Sequence, residues 1–144
     1  MSAALLALLP LACARVVRTW PDGTKRAEGR LAWLAEVEDG FWTYWYPNGV
    51  LREQGRYDRG RRTSVWVQWF PNGQRRSEGR RSWIEATRAS EREGPWIFWH
   101  ENGTVRARGT FRAGAREGRW DYSLDDGGLD GLQSGDYHAD RKID

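Results

Sequence analysis

Residues 41–55 carry the sequence FWTYWYPNGVLREQG, in which an aromatic stretch, an Asn-Gly pair and a polar stretch ending in glycine follow one another. Aromatic and β-branched residues favour β-strands, and Asn-Gly between two such stretches is the strongest short-range indication of a β-hairpin. Successive residues of a strand point to opposite faces, so Trp42 and Trp45, three residues apart, are predicted on opposite faces. This stretch therefore predicts a β-hairpin with aromatic side chains on both faces.

The same pattern recurs along the chain. Each copy has a glycine after Asp or Asn and a second glycine six residues later, and the pairs are Gly23/Gly29, Gly49/Gly55, Gly73/Gly79 and Gly103/Gly109. A tryptophan pair precedes three of these turns, as Trp42/Trp45, Trp66/Trp69 and Trp96/Trp99, and Trp120 begins a fifth copy. Successive first tryptophans are 24, 30 and 24 residues apart. Such a period is the signature of a repeat architecture.

The spacing predicts an all-β protein, an elongated single-layer antiparallel β-meander of tandem hairpins. About ten short strands are expected to pair in sequence order, and the six excess residues of the long interval are expected to loop out within 82–93. Residues 15–137 form the array in this interpretation, 1–14 a leader and 138–144 an acidic tail. The first tryptophan of each pair, Trp120 and the repeated glycines are interpreted as structural.

A family resemblance follows from these motifs. Residues 114–120, GAREGRW, are similar to the pattern G-[KR]-x-x-G-x-W of MORN repeats in the variant form common in bacterial proteins, and residues 40–42 and 94–96 repeat its G-x-W end. Ser64 stands in place of that glycine in the third copy, and the first and last copies are degenerate, as capping repeats are. The resemblance implies a twisted meander that serves as a protein or membrane scaffold. Bacterial variants are often labelled antitoxin-like or lipoproteins.

The N-terminal residues resemble an export signal. Ala3–Ala12 is an uncharged apolar run, too short to span a bilayer. Two processing routes stay open: Leu11-Ala12-Cys13 resembles a lipobox with Cys13 as the lipidated residue, and Ala12-Cys13-Ala14 fits cleavage before Arg15. No basic residue precedes the run, which leaves open whether Met1 is the true start. The prediction is export to the cell envelope or secretion, with a cytoplasmic protein as the alternative.

Chemistry-bearing motifs are few. No nucleophile, phosphate-binding or metal-ligand motif occurs, so no enzymatic activity, cofactor or metal is expected. His100 occupies the position of Tyr46 and Phe70 and is interpreted as a repeat substitution. Residues 15–120 contain 21 basic and 13 acidic residues, whereas 121–144 contain seven aspartates and two basic residues. Acidic residues alternate with the arginines, which argues against nucleic-acid binding.

The predicted function is a non-catalytic scaffold that binds a protein partner, such as a toxin or an envelope component, with membrane attachment by a lipid anchor as an option. The alternative is an aromatic repeat that binds glycan, choline or lipid headgroups. The candidate surface is a stripe of Trp45, Trp69 and Trp99 on one face, rimmed by Arg52, Arg75 and Arg106. Aromatic residues with arginine are typical of interface hot spots. The Asp-rich segment from Asp121 either covers this stripe in the free protein or forms a solvated tail.

Overall fold

The computed structural model describes residues 14–33 and 36–144, and this part of the chain is one open sheet without helices. Eleven strands pair antiparallel in sequence order, which confirms the all-β meander. They are β1 Arg15–Thr19, β2 Lys25–Leu31, β3 Glu38–Trp45, β4 Leu51–Asp58, β5 Arg61–Trp69, β6 Arg75–Ile84, β7 Ala89–Trp99, β8 Val105–Arg112, β9 Ala115–Tyr122, β10 Gly135–His138 and β11 Arg141–Lys142. Units one to five are the successive pairs β1–β2, β3–β4, β5–β6, β7–β8 and β9–β10.

The six excess residues do not loop out, so that expectation is wrong. They lengthen the β6–β7 hairpin, in which Ser82, Trp83 and Ile84 pair with Glu91, Ser90 and Ala89. Pairing satisfies the backbone N–H and C=O groups that a loop would leave to solvent. The insertion therefore extends the sheet at one edge of unit three. Residues 138–144, predicted as an acidic tail, also join the sheet, because Arg141 and Lys142 form β11.

The turns follow from their Asn-Gly pairs. In unit two, the N–H of Gly49 donates to the carbonyl of Tyr46 at 3.0 Å, and Gly49 has a φ of 81°. This is a three-residue loop in which a type I turn is followed by a left-handed glycine. The Asn48 carboxamide accepts from the N–H of Val50 at 3.1 Å and donates to the carbonyl of Pro71, in the next turn, at 3.0 Å. Asn72 and Asn102 make the same two kinds of bond, so the side chains of successive turns join the units along this edge.

A row of alternating glycine and tryptophan crosses the sheet. Each buried indole ring lies on a glycine of the preceding strand and is paired with a glycine of the following strand. The row runs Gly29, Trp42, Gly55, Trp66, Gly79, Trp96, Gly109, Trp120 and Gly135. A methyl group on any of the first four glycines would overlap the indole ring that lies on it. The second glycine of each copy is thus required by the tryptophan of the next.

The core lies on one face of the sheet, here called the core face, and divides into two clusters. One surrounds Trp42 and Trp66, and the other surrounds Trp96 and Trp120. Edge-to-face contacts support each cluster, with centroids 5.1 Å apart between Tyr57 and Trp66, and 4.8 Å apart between Phe111 and Trp120. The equivalent position in unit three holds Arg81, the cross-strand partner of Arg92. Polar side chains of unit three therefore separate the two clusters.

Ser64 is a strained copy of a repeated glycine. Gly40, Gly94 and Gly118 have φ values of 69°, 72° and 69°, and Ser64 has 60° at the same position, two residues before the buried tryptophan. The left-handed region costs a residue with a Cβ about 1–2 kcal/mol. We expect Ser64→Gly to raise the free energy of unfolding by about 1 kcal/mol. The relieved strain stabilises the folded state, and the greater entropy of glycine in the unfolded state offsets part of this gain.

Urea denaturation with an unchanged m-value measures this effect. Gly40→Ser is the matched control and should lower the free energy of unfolding by a similar amount. A Ser64→Gly protein less stable than the parent contradicts the assignment of strain to this position.

Candidate partner-binding surface

The paired tryptophans lie on opposite faces, as the strand alternation predicts. Trp42, Trp66, Trp96 and Trp120 are 0–3% exposed on the core face. Trp45, Trp69 and Trp99 are half-buried on the other face, here called the open face. Lys25, whose ammonium is 5.7 Å from the ring of Trp45, pairs with Glu28 on that same face. The predicted tryptophan stripe therefore exists, one ring in each of units two, three and four.

The predicted arginine rim does not share that face. Arg52 and Arg106 lie on the core face, with guanidinium carbons 5.4 Å from the ring of Tyr44 and 5.6 Å from that of Phe98. Arg75 alone lies on the open face, where it pairs with Glu78. The placement of Arg52 and Arg106 beside the stripe is thus wrong.

A β-bulge explains this misplacement. In unit two, Tyr44 pairs with Glu53 and Trp45 with Leu51, so Arg52 is the extra residue of the bulge. The same interruption makes Arg26, Arg76 and Arg106 the extra residues in units one, three and four. The third-unit equivalent of Arg52 is therefore Arg76, 5.7 Å from the ring of Phe70, and the sequence alignment was displaced by one residue at Arg75.

Three rows of side chains cross the open face in units two to four. Nine residues form them and are called the open-face patch: Phe41, Val65 and Pro95; Thr43, Val67 and Ile97; Trp45, Trp69 and Trp99. Phe41 and Val65 are each 52% exposed and Ile97 is 38% exposed. Sequence reasoning missed the first two rows, although strand alternation from each core tryptophan would have indicated them.

The patch ends at both outer units. The equivalent residues of unit five are Arg119, Asp121 and Ser123, and Asp121 pairs with Arg108 at 3.2 Å and with Arg119 at 3.3 Å. In unit one, Arg15 and Thr19 replace the aromatic residues, and Arg15 pairs with Glu28. On the open face, the first strands of units two to four are therefore largely apolar, and the second strands between them carry polar residues such as Arg56, Glu78 and Arg80.

The Asp-rich segment lies at the last edge of the sheet and does not cover the tryptophan stripe. β10 pairs with β9, and Asp140 accepts from the side chain of Arg116 at 3.0 Å. A hydrogen bond from the backbone N–H of Arg116, and a second from its side chain, lower the pKa of Asp140. Burial acts in the opposite direction but is outweighed. Asp144 lies 3.7 Å from Arg119. The idea of an acidic cover is corrected by these contacts.

His100 behaves as a repeat substitution. Its Nε2 lies 2.8 Å from the carbonyl of Ser123, and the hydroxyl of Tyr46 donates to the carbonyl of Trp69 at 2.9 Å in the equivalent place. A carbonyl only accepts, so Nε2 carries the proton in this bond. Within the described residues, no three His, Cys, Asp or Glu are placed to hold a metal ion. The same part of the chain has no helix long and apolar enough to cross a bilayer. Cys13 lies outside the described residues.

The comparison with protein families identifies the repeat. Residues 38–59 and 92–113 match the family described as MORN repeat variant. The chain contains MORN repeats. The matched segments correspond to units two and four, whereas unit three, between them, carries the departures at Ser64 and Arg81. MORN repeats are non-enzymatic binding and scaffolding repeats.

The other comparisons add little. No curated protein matches the chain. Among solved structures, "Crystal structure of GtfA/B complex bound to UDP and GlcNAc" matches at 14% identity and a TM-score of 0.27, over 85% of this chain and 24% of that chain. This chain thus spans about a quarter of that chain's length. A TM-score this low does not indicate a shared fold.

Proposed function

We propose that this MORN-repeat chain is a non-catalytic scaffold that binds a protein partner through the open-face patch. The observation that carries the proposal is the patch itself, with exposed Phe41, Val65 and Ile97 beside a row of three tryptophans. Aromatic and aliphatic side chains interleaved with arginines, such as Arg56 and Arg80, are typical of protein–protein interfaces. The tryptophans are already held by the sheet, so little side-chain entropy is lost when a partner binds.

Truncation of the patch tests this proposal. We expect Trp69→Ala to weaken a partner's affinity by about 30-fold or more, because hot-spot tryptophans contribute about 2 kcal/mol or more. Val65→Ser should also weaken the partner's affinity, and it leaves the half-buried ring of Trp69 in place. The measurement is titration calorimetry with the protein that copurifies with the tagged full chain from its native cells.

Leu132→Ser is the matched control, because Leu132 is 91% exposed and lies outside the patch. This variant should bind like the parent. Parent-like affinity in folded Trp69→Ala and Val65→Ser proteins contradicts the proposed surface.

An aromatic ligand-binding repeat is the second candidate. A cavity of about 490 Å³ lies beside Phe41 and Trp45 and is also lined by Arg15 and Glu28. An aromatic wall with charged groups would suit a glycan, choline or a lipid headgroup. Retention of the chain on protease-treated envelope fragments, lost in Trp45→Ala and kept in Trp69→Ala, would favour this function over the protein scaffold.

We further propose a toxin as the partner and the cell envelope or the exterior of the cell as the location of the protein. A toxin-like open reading frame beside the gene would support an antitoxin-like role. Export is proposed from the apolar run that ends at Cys13. The intact mass of the native protein distinguishes lipidation at Cys13 from a mature chain that begins at Arg15, and an unprocessed cytosolic Met1 species contradicts both.

A further inference from the structure

One arginine position recurs on the core face, four residues before the buried tryptophan. It holds Arg62, Arg92 and Arg116 in units three, four and five. Each guanidinium lies against aromatic rings: Arg62 is 4.1 Å from the centroid of Trp66, and Arg116 is 4.1 Å from that of Tyr137. Arg92 is 5.2 Å from Trp96, 5.3 Å from Phe98 and 5.2 Å from Phe111. Such contacts orient the cation while leaving its N–H groups available.

Two of the three arginines have a carboxylate partner. Arg62 donates to both oxygens of Glu53, at 3.1 and 3.0 Å. Burial lowers the pKa of Arg62, but the charge and hydrogen bonds of Glu53 outweigh it and leave this pKa raised. Arg116 donates to Asp140 at 3.0 Å. This bidentate or charge-assisted arrangement is the preferred geometry of a guanidinium with a carboxylate.

In the part of the chain that the structure describes, Arg92 has no such partner. Among the described residues, its side chain makes no hydrogen bond or ion pair. The sequence explains the difference, because Glu53 stands four residues after its turn glycine and Ser77 stands at that position in the next unit. The Ser77 hydroxyl donates to Gln68 at 2.9 Å instead. Unit three thus lacks the carboxylate that Arg92 would meet.

Two further arginines lie near Arg92, where the preceding unit has the carboxylate of Glu53. Arg81 is the cross-strand partner of Arg92, and Arg106 stands on the following strand over the ring of Phe98. Burial first, and then the charge of Arg106, lower the pKa of Arg92, and the charges of Asp140 and Glu91 act in the opposite direction. Like charges placed directly across a sheet are destabilising. The cluster therefore favours an anion.

A cavity of about 370 Å³ opens at the same place. Ser77 and Phe98 line it together with Arg76, Arg92, Arg106 and His100, and Glu101 is the single acidic residue in its lining. Its volume lies in the range of small-molecule sites. A neighbouring cavity of about 390 Å³ shares Arg92, Phe98 and Arg106 and extends to Arg116 and Asp140.

We propose that this cavity is a binding site for a carboxylate on an apolar body, with Arg92 as its bidentate partner and Phe98 as the apolar contact. The bound carboxylate takes the place that Glu53 fills for Arg62 in the preceding unit. It is either a free organic acid or an acidic side chain of a peptide. Arg92 and Phe98 lie on the core face, and of the open-face patch only Trp99 borders the cavity, so the proposal does not rest on the proposed function.

The test uses 3-phenylpropionate, with 3-phenylpropanamide as its uncharged isostere, titrated into the full chain and followed by tryptophan fluorescence and chemical-shift changes. We expect saturable binding of the acid and about tenfold or more weaker binding of the amide, because a charge-assisted bidentate bond is lost. An acetylated and amidated Phe-Glu dipeptide forms the second arm. Tighter binding of the dipeptide assigns the site to acidic side chains, and tighter binding of phenylpropionate assigns it to free acids.

Ser77→Glu is the decisive variant, because it restores the carboxylate of the preceding unit without removing any existing charge partner. It should raise the melting temperature and weaken 3-phenylpropionate binding about tenfold or more. Arg92→Gln should weaken binding similarly, and Arg141→Gln, at an exposed arginine, should not. The proposal is overturned if neither carboxylate binds saturably, if the amide or inorganic phosphate binds as tightly as the acid, or if folded Ser77→Glu binds like the parent.

Discussion

Gly55→Ala is expected to lower the free energy of unfolding by about 3 kcal/mol, because the added methyl group overlaps the buried indole of Trp66. The ring cannot withdraw, since Trp66 is 1% exposed and its N–H donates to the carbonyl of Thr63 at 3.1 Å. The backbone of Gly55 has an ordinary φ, so strain in the dihedral angle does not contribute. Equilibrium urea unfolding measures the loss.

A double-mutant cycle isolates the cause. In a Trp66→Ala background the overlap is gone, and Gly55→Ala should then change stability by less than about 1 kcal/mol. Gly131→Ala is the matched control, because a methyl group there meets nothing within 4 Å. Equal losses from Gly55→Ala in the two backgrounds contradict the account of the glycine–tryptophan row.

The second large effect is expected from Trp66→Ala, which should lower the free energy of unfolding by about 3–5 kcal/mol. Trp66 lies between Gly55 and Gly79 and contacts Tyr57 edge-to-face, so its removal leaves a cavity that glycines cannot fill. Arg62, 4.1 Å from the same ring, also loses its aromatic contact. Guanidinium chloride unfolding, monitored by circular dichroism, measures the loss.

Trp69→Ala supplies the comparison within one strand. Trp69 is half-buried on the open face, so its removal should have a clearly smaller effect than that of Trp66. This difference also allows Trp69→Ala to be used as a folded binding variant. Losses of equal size would contradict the assignment of one tryptophan to the core face and the other to the open face.

The order of the strands was predictable because its determinants are local. Asn48 and Gly49 specify a turn through bonds within three residues, and a 24-residue period places the next turn beside it. Alternation along β3 then assigned Trp42 and Trp45 to opposite faces. The misplaced loop at residues 82–93 arose because length alone does not show whether an insertion pairs; Ser82 and Glu91 do pair.

The candidate surface was only half predictable for a related reason. Alternation continues correctly from Trp42 to Trp45 but fails at the following turn, where the bulge adds Arg52 and returns its side chain to the core face. The count of three residues past each turn glycine therefore puts Arg52 and Arg106 on the wrong face, and in the third copy the same count reaches Arg76, one residue beyond the predicted Arg75. Phe41 and Val65 lie before the bulge and could have been included.

The sequence by itself determined the repeat, its hairpins and the tryptophan–glycine period, because turn chemistry and strand alternation act over a few neighbouring residues. Only the tertiary structure decided which side chains meet across strands. Arg62 reaches Glu53, whereas Arg92, at the equivalent position of the next unit, lies beside the ring of Phe98, shares a cavity with Ser77 and has no carboxylate partner within the described residues. Which arginine meets a carboxylate depends on the register between strands and on the bulges that shift this register. Neither can be read from the number of charged residues along the chain.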